Sequence, residues 1–299
     1  MTAATLQVID PHMHLWDLER LHYPWLAQPG TNFAGDNRRL AQTYGRSHFA
    51  ADTEGVDVAA VVHVEAGHDP ADPLAETRWL QLLADAGGFP HGIVAYADLS
   101  RPDVEQLLAA HASHRNVRGI RQILNVHVNP LYDYVGRHFM HEPLWRKNFA
   151  LLRKFNLSFD LQIYPTQMAD AAQLAQANPQ TTLILNHTGM FADRNSVAGW
   201  RQWRDGMRAL AACPNVMVKV SGLGMFDHAW SLESLRPYVL ETIDAFGAAR
   251  SMFASNFPVD RPYGSYRALW TAFAQIVSGA SESEQAALLR DNARRIYRL

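Results

Sequence analysis

The 299 residues contain one cysteine, Cys213, which excludes an intramolecular disulfide and gives no sign of an oxidising compartment. Within Ala211-Ala212-Cys213-Pro214 it reads as a small buried residue at a helix end. No window approaches the ~18 apolar residues of a membrane span. The opening MTAATLQVID also lacks a basic region followed by a long apolar stretch. A formal net charge of −2 leaves no electrostatic footprint for nucleic acid or an anionic membrane. A soluble, cytoplasmic protein is therefore expected. No Gly-x-Gly-x-x-Gly follows the first apolar run, so the usual dinucleotide signature is missing, and Gly222-Leu223-Gly224 is too short and too late to replace it.

Hydrophobic residues make up 48% and charged residues 19%, enough for a large core and too apolar for disorder. One barrel-sized domain over residues 1–299 accounts for the length. From Val56 onward short apolar runs alternate with amphipathic helical patterns: 59–65, 92–98, 117–124, 157–164, 182–187, 216–222 and 251–256 as strands. With Leu6-Gln7-Val8-Ile9 that makes eight strands, the pattern of a parallel (β/α)8 barrel, here distorted by a long loop after strand one. Helices are expected near 74–85, from an N-cap at Ser100 to about His111, 143–154, 166–177, 197–212, 232–246, 266–277 and 282–297. The loop, roughly Asp17 to Phe49, carries Tyr23, Trp25 and Phe33, which with Trp16 would line a site or plug the core.

The first strand runs into Asp10-Pro11-His12-Met13-His14, and the proline is expected to end sheet pairing there. Side chains two apart on an extended strand share a face, so His12 and His14 point together, as a ligand pair or an acid/base pair. In a barrel, chemistry sits at the carboxyl ends of the strands. Those ends are rich in polar residues: His63 and Glu65, Arg118 and Arg121, Asp160 and Gln162, Asn186-His187, Lys219 and Ser221, and Asn256 with Asp260 four residues on. Any one, such as His63 or Lys219, is explained by an ordinary hydrogen-bond partner. Their convergence points to a hydrolytic or lyase site.

With Ile9-Asp10-Pro11-His12-Met13-His14-Leu15-Trp16, Val117-Arg118-Gly119-Ile120-Arg121, Leu185-Asn186-His187-Thr188-Gly189, Lys219-Val220-Ser221-Gly222 and Ala254-Ser255-Asn256-Phe257-Pro258 in order, the chain resembles the amidohydrolase superfamily. The resemblance covers nearly the whole chain and is nearest in pattern to sugar lactonases and 2-pyrone-4,6-dicarboxylate lactonase. It implies catalytic roles for His12, His14 and His187, either as ligands of one divalent ion such as Zn²⁺ or, without metal, as hydrogen-bond donors around an ester carbonyl. The family's eighth-strand aspartate falls on Asn256, an amide that can neither take a proton nor ligate metal well. Arg121 stands where binuclear members carry a bridging lysine, which argues against two metals. Glu65 and Asp260 are the candidate bases, and Arg118, Arg121, Gln162 and Trp16 the candidate substrate contacts. The expected reaction is opening of a sugar-acid or dicarboxylate lactone by activated water. The alternatives are a non-oxidative decarboxylase and an impaired sugar-acid-binding protein. A small-molecule lactone or carboxylate is the expected partner, in a monomer or homodimer, with Trp200 and Trp203 either packed on the barrel or marking a dimer face.

Overall fold

A computed structural model describes residues 6–32 and 34–299. Phe33 lies outside the described residues. Eight parallel strands follow one another around the sheet: β1 Gln7–Met13, β2 Asp57–Val64, β3 Gly92–Tyr96, β4 Val117–Ile123, β5 Ser158–Gln162, β6 Leu183–Leu185, β7 Val216–Val220 and β8 Ser251–Phe253. This is a (β/α)8 barrel, with helices packed outside.

Alternation along each strand sorts side chains into two layers. Val61, Ile120, Phe159, Leu161, Leu185, Val218 and Phe253 belong to the large outer cluster, with Leu80, Phe149, Trp203 and Phe273 from the helices. Ile9, Val62, Val64, Val94, Ile184 and Met252 form an inner cluster. The helix Asn292–Tyr297 adds Ala293, Ile296 and Tyr297 to that cluster, so the chain's last turn fills one end of the barrel.

Pro11 does not end β1. The strand continues to Met13 because the register against β2 slips between Asp10 and Met13, the extra residue of a bulge. Closure between β8 and β1 is made past the end of β8, where His14 N donates to Phe257 O at 2.7 Å and Asn256 N donates to His12 O at 2.8 Å. Asp10, fully buried, accepts from Ser255 Oγ at 2.5 Å, Ser255 N at 3.0 Å and Tyr266 Oη at 3.1 Å. It ties the seam to the helix Tyr266–Ile276.

The long loop after β1 contains the helix Arg46–Asp52 and a two-stranded ribbon, Thr31–Asn32 against Gly35–Asp36. Ser100 is no N-cap; its N and Oγ donate to Asp98 in a turn, and the helix begins at Val104. The last expected helix is split by a π-turn at Ala287–Asp291. Trp203 packs onto the barrel and is fully buried.

Candidate active site

The bulge sets the direction of the two histidines. It returns His12 and His14 to the barrel interior on either side of the outward-facing Met13, and their ring centroids are 5.0 Å apart. His14 Nδ1 lies 2.7 Å from the Val64 carbonyl oxygen. A carbonyl only accepts, so Nδ1 carries the hydrogen and Nε2 presents a lone pair to the pocket. His12 is fully buried beneath the pocket floor. Its Nδ1 is 3.3 Å from Lys219 Nζ, and an ammonium only donates, so here Nδ1 accepts. Its Nε2 faces Arg121 Nη1 at 3.5 Å.

Below His12 sits a closed polar group. Lys219 Nζ is 2.5 Å from Asp160 Oδ1, both side chains fully buried. Asp160 also takes Asn186 Nδ2 at 3.0 Å and the Tyr297 hydroxyl at 3.0 Å from each oxygen. A buried carboxylate needs such partners. Tyr297 brings the C-terminus into the site from the opposite end of the barrel, which no local sequence pattern announces. Burial, partly opposed by Asp160, lowers the Lys219 pKa to about 8.

On β4 and β5, Arg121 and Gln162 line the pocket as expected. Arg121 Nη1 donates to Gln162 Oε1 at 2.9 Å, leaving the Gln162 amide nitrogen to donate into the pocket. Glu65 is committed elsewhere: Oε1 takes Arg121 Nε at 2.6 Å and Oε2 takes Gly67 N at 2.8 Å. That geometry makes it an orienter of Arg121, and it does not line the reaction pocket. Arg118 is not a substrate contact. Three residues before Arg121, it falls on the other face and nearer the start of the strand, where its guanidinium donates to the carbonyls of Arg115 and Arg298. His63 also points outward, with Nδ1 accepting from Leu15 N and Nε2 3.7 Å from Glu76.

His187 and Asn256 both have left-handed backbone, φ 54° and 59°. Non-glycine residues adopt this region rarely, and such strain persists where the surroundings over-determine it. Trp203 Nε1 supports the His187 turn by donating to Thr188 O at 2.6 Å. Ser221 Oγ lies 2.9 Å from His187 Nδ1. Gly222, φ 63°, lets the ring approach; a Cβ there would lie 2.5 Å from Nδ1. Asn256 Oδ1 is 3.3 Å from His14 Nε2, and its Nδ2 donates to Asp260 Oδ1 at 3.2 Å. Burial raises the Asp260 pKa to about 7, and lowers those of His12, His14 and His187 well below the usual imidazole value, with Lys219 and Arg121 adding to the effect. All three imidazoles are neutral at pH 7.

These groups surround a pocket of about 650 Å³, counted to its mouth, lined by His14, Arg121, Gln162, His187 and Asn256, with Trp16, Trp25 and Met225 as apolar walls. Trp16 Nε1 donates to Gln42 O at 2.6 Å, which holds the indole in place. The donors do not fit a resident divalent ion on His12, His14 and His187. Both ring nitrogens of His12 face a cationic side chain, and the position expected for a carboxylate ligand is an amide. Among the described residues no group of three or more His, Cys, Asp or Glu is placed to hold a metal.

Comparisons agree with this architecture. An amidohydrolase structure from Burkholderia multivorans, solved with bound zinc, superposes with a TM-score of 0.82 at 26% identity, covering 98% of this chain and 99% of that one. L-fucono-1,5-lactonase of Burkholderia multivorans is 27% identical over 97% of this chain and 96% of its own length. The uncharacterized protein y4mH of Sinorhizobium fredii is 47% identical over 98% of this chain and 99% of its own. Residues 9–299 match the amidohydrolase family, to which this barrel, with its paired histidines at the end of β1 and third histidine after β6, therefore belongs.

Proposed function

We propose that the chain hydrolyses the ring ester of a sugar-acid lactone, using His14 as the group that moves the proton. One observation carries this reading: His14 Nε2, with its lone pair, shares the pocket with two donors, Arg121 and the Gln162 amide, and lies 3.3 Å from Asn256 Oδ1, which can accept from it once it is protonated. The carbonyl oxygen accepts from Arg121 and the Gln162 amide, which favour the charge that develops on it. Water adds to the carbonyl carbon and gives its proton to His14. The imidazolium donates to Asn256 Oδ1, whose amide donates to Asp260. When the ring C–O bond breaks, the same proton passes to the leaving oxygen, and one water and one lactone become one hydroxy acid. His187, oriented by Ser221, lines the same pocket, while His12 and Lys219 hold its floor.

The lactonase relatives support a lactone substrate, and the absence of a cationic cluster beyond Arg121 in the pocket lining supports a neutral sugar ring over a dicarboxylate. The test is acid release, followed with a pH indicator, from a panel of aldonolactones and dicarboxylate lactones, with and without a strong chelator. Turnover of an aldonolactone that survives chelation is expected. No turnover of any lactone, with or without added zinc, refutes the proposal; CO₂ release from an aromatic acid would establish the decarboxylase instead.

A further inference from the structure

Beside the reaction pocket lies a second chamber of about 920 Å³, again counted to its mouth, between the tops of β2, β3 and β4 and the loop after β4. The two share Trp25, Gly67, Ile123 and Tyr134, so they are neighbouring rooms with a common wall. No step of the proposed hydrolysis uses the second room.

Its chemistry is specific. Tyr96, Tyr134 and Phe139 join Trp25 as aromatic walls, and among the described residues no lysine or arginine lines it. Its carboxylates are Glu65, already held by Arg121 and Gly67, and Asp98. Asp98 Oδ1 accepts from Ser100 N at 2.9 Å, Ser100 Oγ at 2.7 Å and Gln122 Nε2 at 2.9 Å. Among the described residues nothing donates to Oδ2. His68, on the same lining, has a buried Nδ1 with no partner. Aromatic faces with a fixed carboxylate acceptor suit a ring whose C–H face stacks and whose hydroxyls donate. Three donors already share the charge of Asp98, which favours a hydroxyl over an ammonium group. An anionic substituent would meet the Asp98 carboxylate in a lining that, among the described residues, carries no lysine or arginine.

We infer that this chamber is a second subsite that takes a neutral glycosyl group attached to the lactone, so that the substrate is a glycosylated aldonolactone larger than one sugar ring. The inference rests on the lactonase reading for the reaction pocket and adds the substrate's size. Gly67 stands in the wall that the two rooms share. It has φ 70°, and a Cβ there would come within 3.1 Å of the Trp25 indole, which forms part of the shared wall.

The experiment compares kcat/KM for monosaccharide 1,5-lactones and for disaccharide-derived aldonolactones, in the wild type, Asp98→Asn and Val135→Trp. Val135 lines the chamber and not the reaction pocket. In the asparagine variant the side-chain oxygen retains the Ser100 and Gln122 bonds, and an amide NH₂, which only donates, replaces the open acceptor. The wild type is expected to favour the disaccharide lactone about tenfold or more. Asp98→Asn should lose about tenfold on that substrate, the scale of one hydrogen bond to a charged group, and Val135→Trp, by filling the chamber, about tenfold or more, while each changes less than about twofold on the monosaccharide lactone. Equal rates on both substrate sizes, indifferent to Val135→Trp, would overturn the subsite. A preference for an aminosugar-bearing lactone would overturn its neutral specificity. If no lactone is opened, the lactonase reading falls by itself. Calorimetric binding of a disaccharide aldonic acid, present in the wild type and absent in Val135→Trp, would then still support the chamber, and no binding to the wild type would refute it.

Discussion

Replacing Asp260 by asparagine should weaken catalysis and strengthen the fold. The carboxyl is 4% exposed, and burial raises its pKa from 3.8 to about 7. A carboxyl whose folded pKa is raised favours the native state only while protonated, so that advantage is lost as pH rises from about 4 to about 7. At 1.36 kcal/mol per unit the native state gives up as much as about 4 kcal/mol by pH 8. Asparagine carries no charge to bury, and its oxygen can still accept from Asn256 or Gly224. A gain of about 2–4 kcal/mol at pH 8 is therefore expected, shrinking toward zero near pH 4. Catalysis moves the other way. The carboxylate reaches His14 through two hydrogen bonds of 3.2 and 3.3 Å across the Asn256 amide. Losing the charge-assisted hydrogen bond from Asn256 Nδ2, through which the carboxylate supports a transient imidazolium, is worth about 1.5–3 kcal/mol, or about 10–150-fold in kcat/KM. Urea denaturation at pH 5 and 8, beside steady-state assays, reads both quantities. A variant that is less stable at pH 8 and fully active would refute the reasoning.

The pH profile of kcat/KM should rise through about pH 7 as Asp260 ionises and fall above about pH 8 as Lys219 loses its proton, and Asp260→Asn should remove the acid limb alone. Lys219→Met leaves the Asp160 carboxylate with only Tyr297 and Asn186, and should cost about 3–5 kcal/mol in denaturant titration, most of it recovered when Asp160 is also made asparagine. Unchanged stability in the single variant would mean the pair contributes nothing to the fold. Asn256→Asp places a second carboxylate about 3.2 Å from Asp260, and the like charges should lower stability above pH 7 and reduce lactone hydrolysis about tenfold or more. A large gain in hydrolysis would instead show a site that works best with the family's carboxylate, and would favour the binding-protein alternative.

Periodicity in the chain determined the eight strands, their order and the barrel, because alternating strand and helix patterns leave few ways to bury both faces of a parallel sheet. It also determined that His12, His14, His187, Arg121 and Gln162 come together, since barrel topology places strand ends at one rim. Tertiary structure decided which of them meet the pocket. Whether Arg118 or Arg121 faces inward is a matter of parity along β4, which only the register reveals, and Glu65 became a holder of Arg121 through a contact 56 residues away. The pairing of Asp160 with Lys219 and Tyr297 joins it to positions 59 and 137 residues away, and neither lysine nor tyrosine carries a local signal of it. Local patterns record which face a residue takes; partners brought together by closure of the barrel are recorded only in its three-dimensional packing, where each buried polar group must find its match.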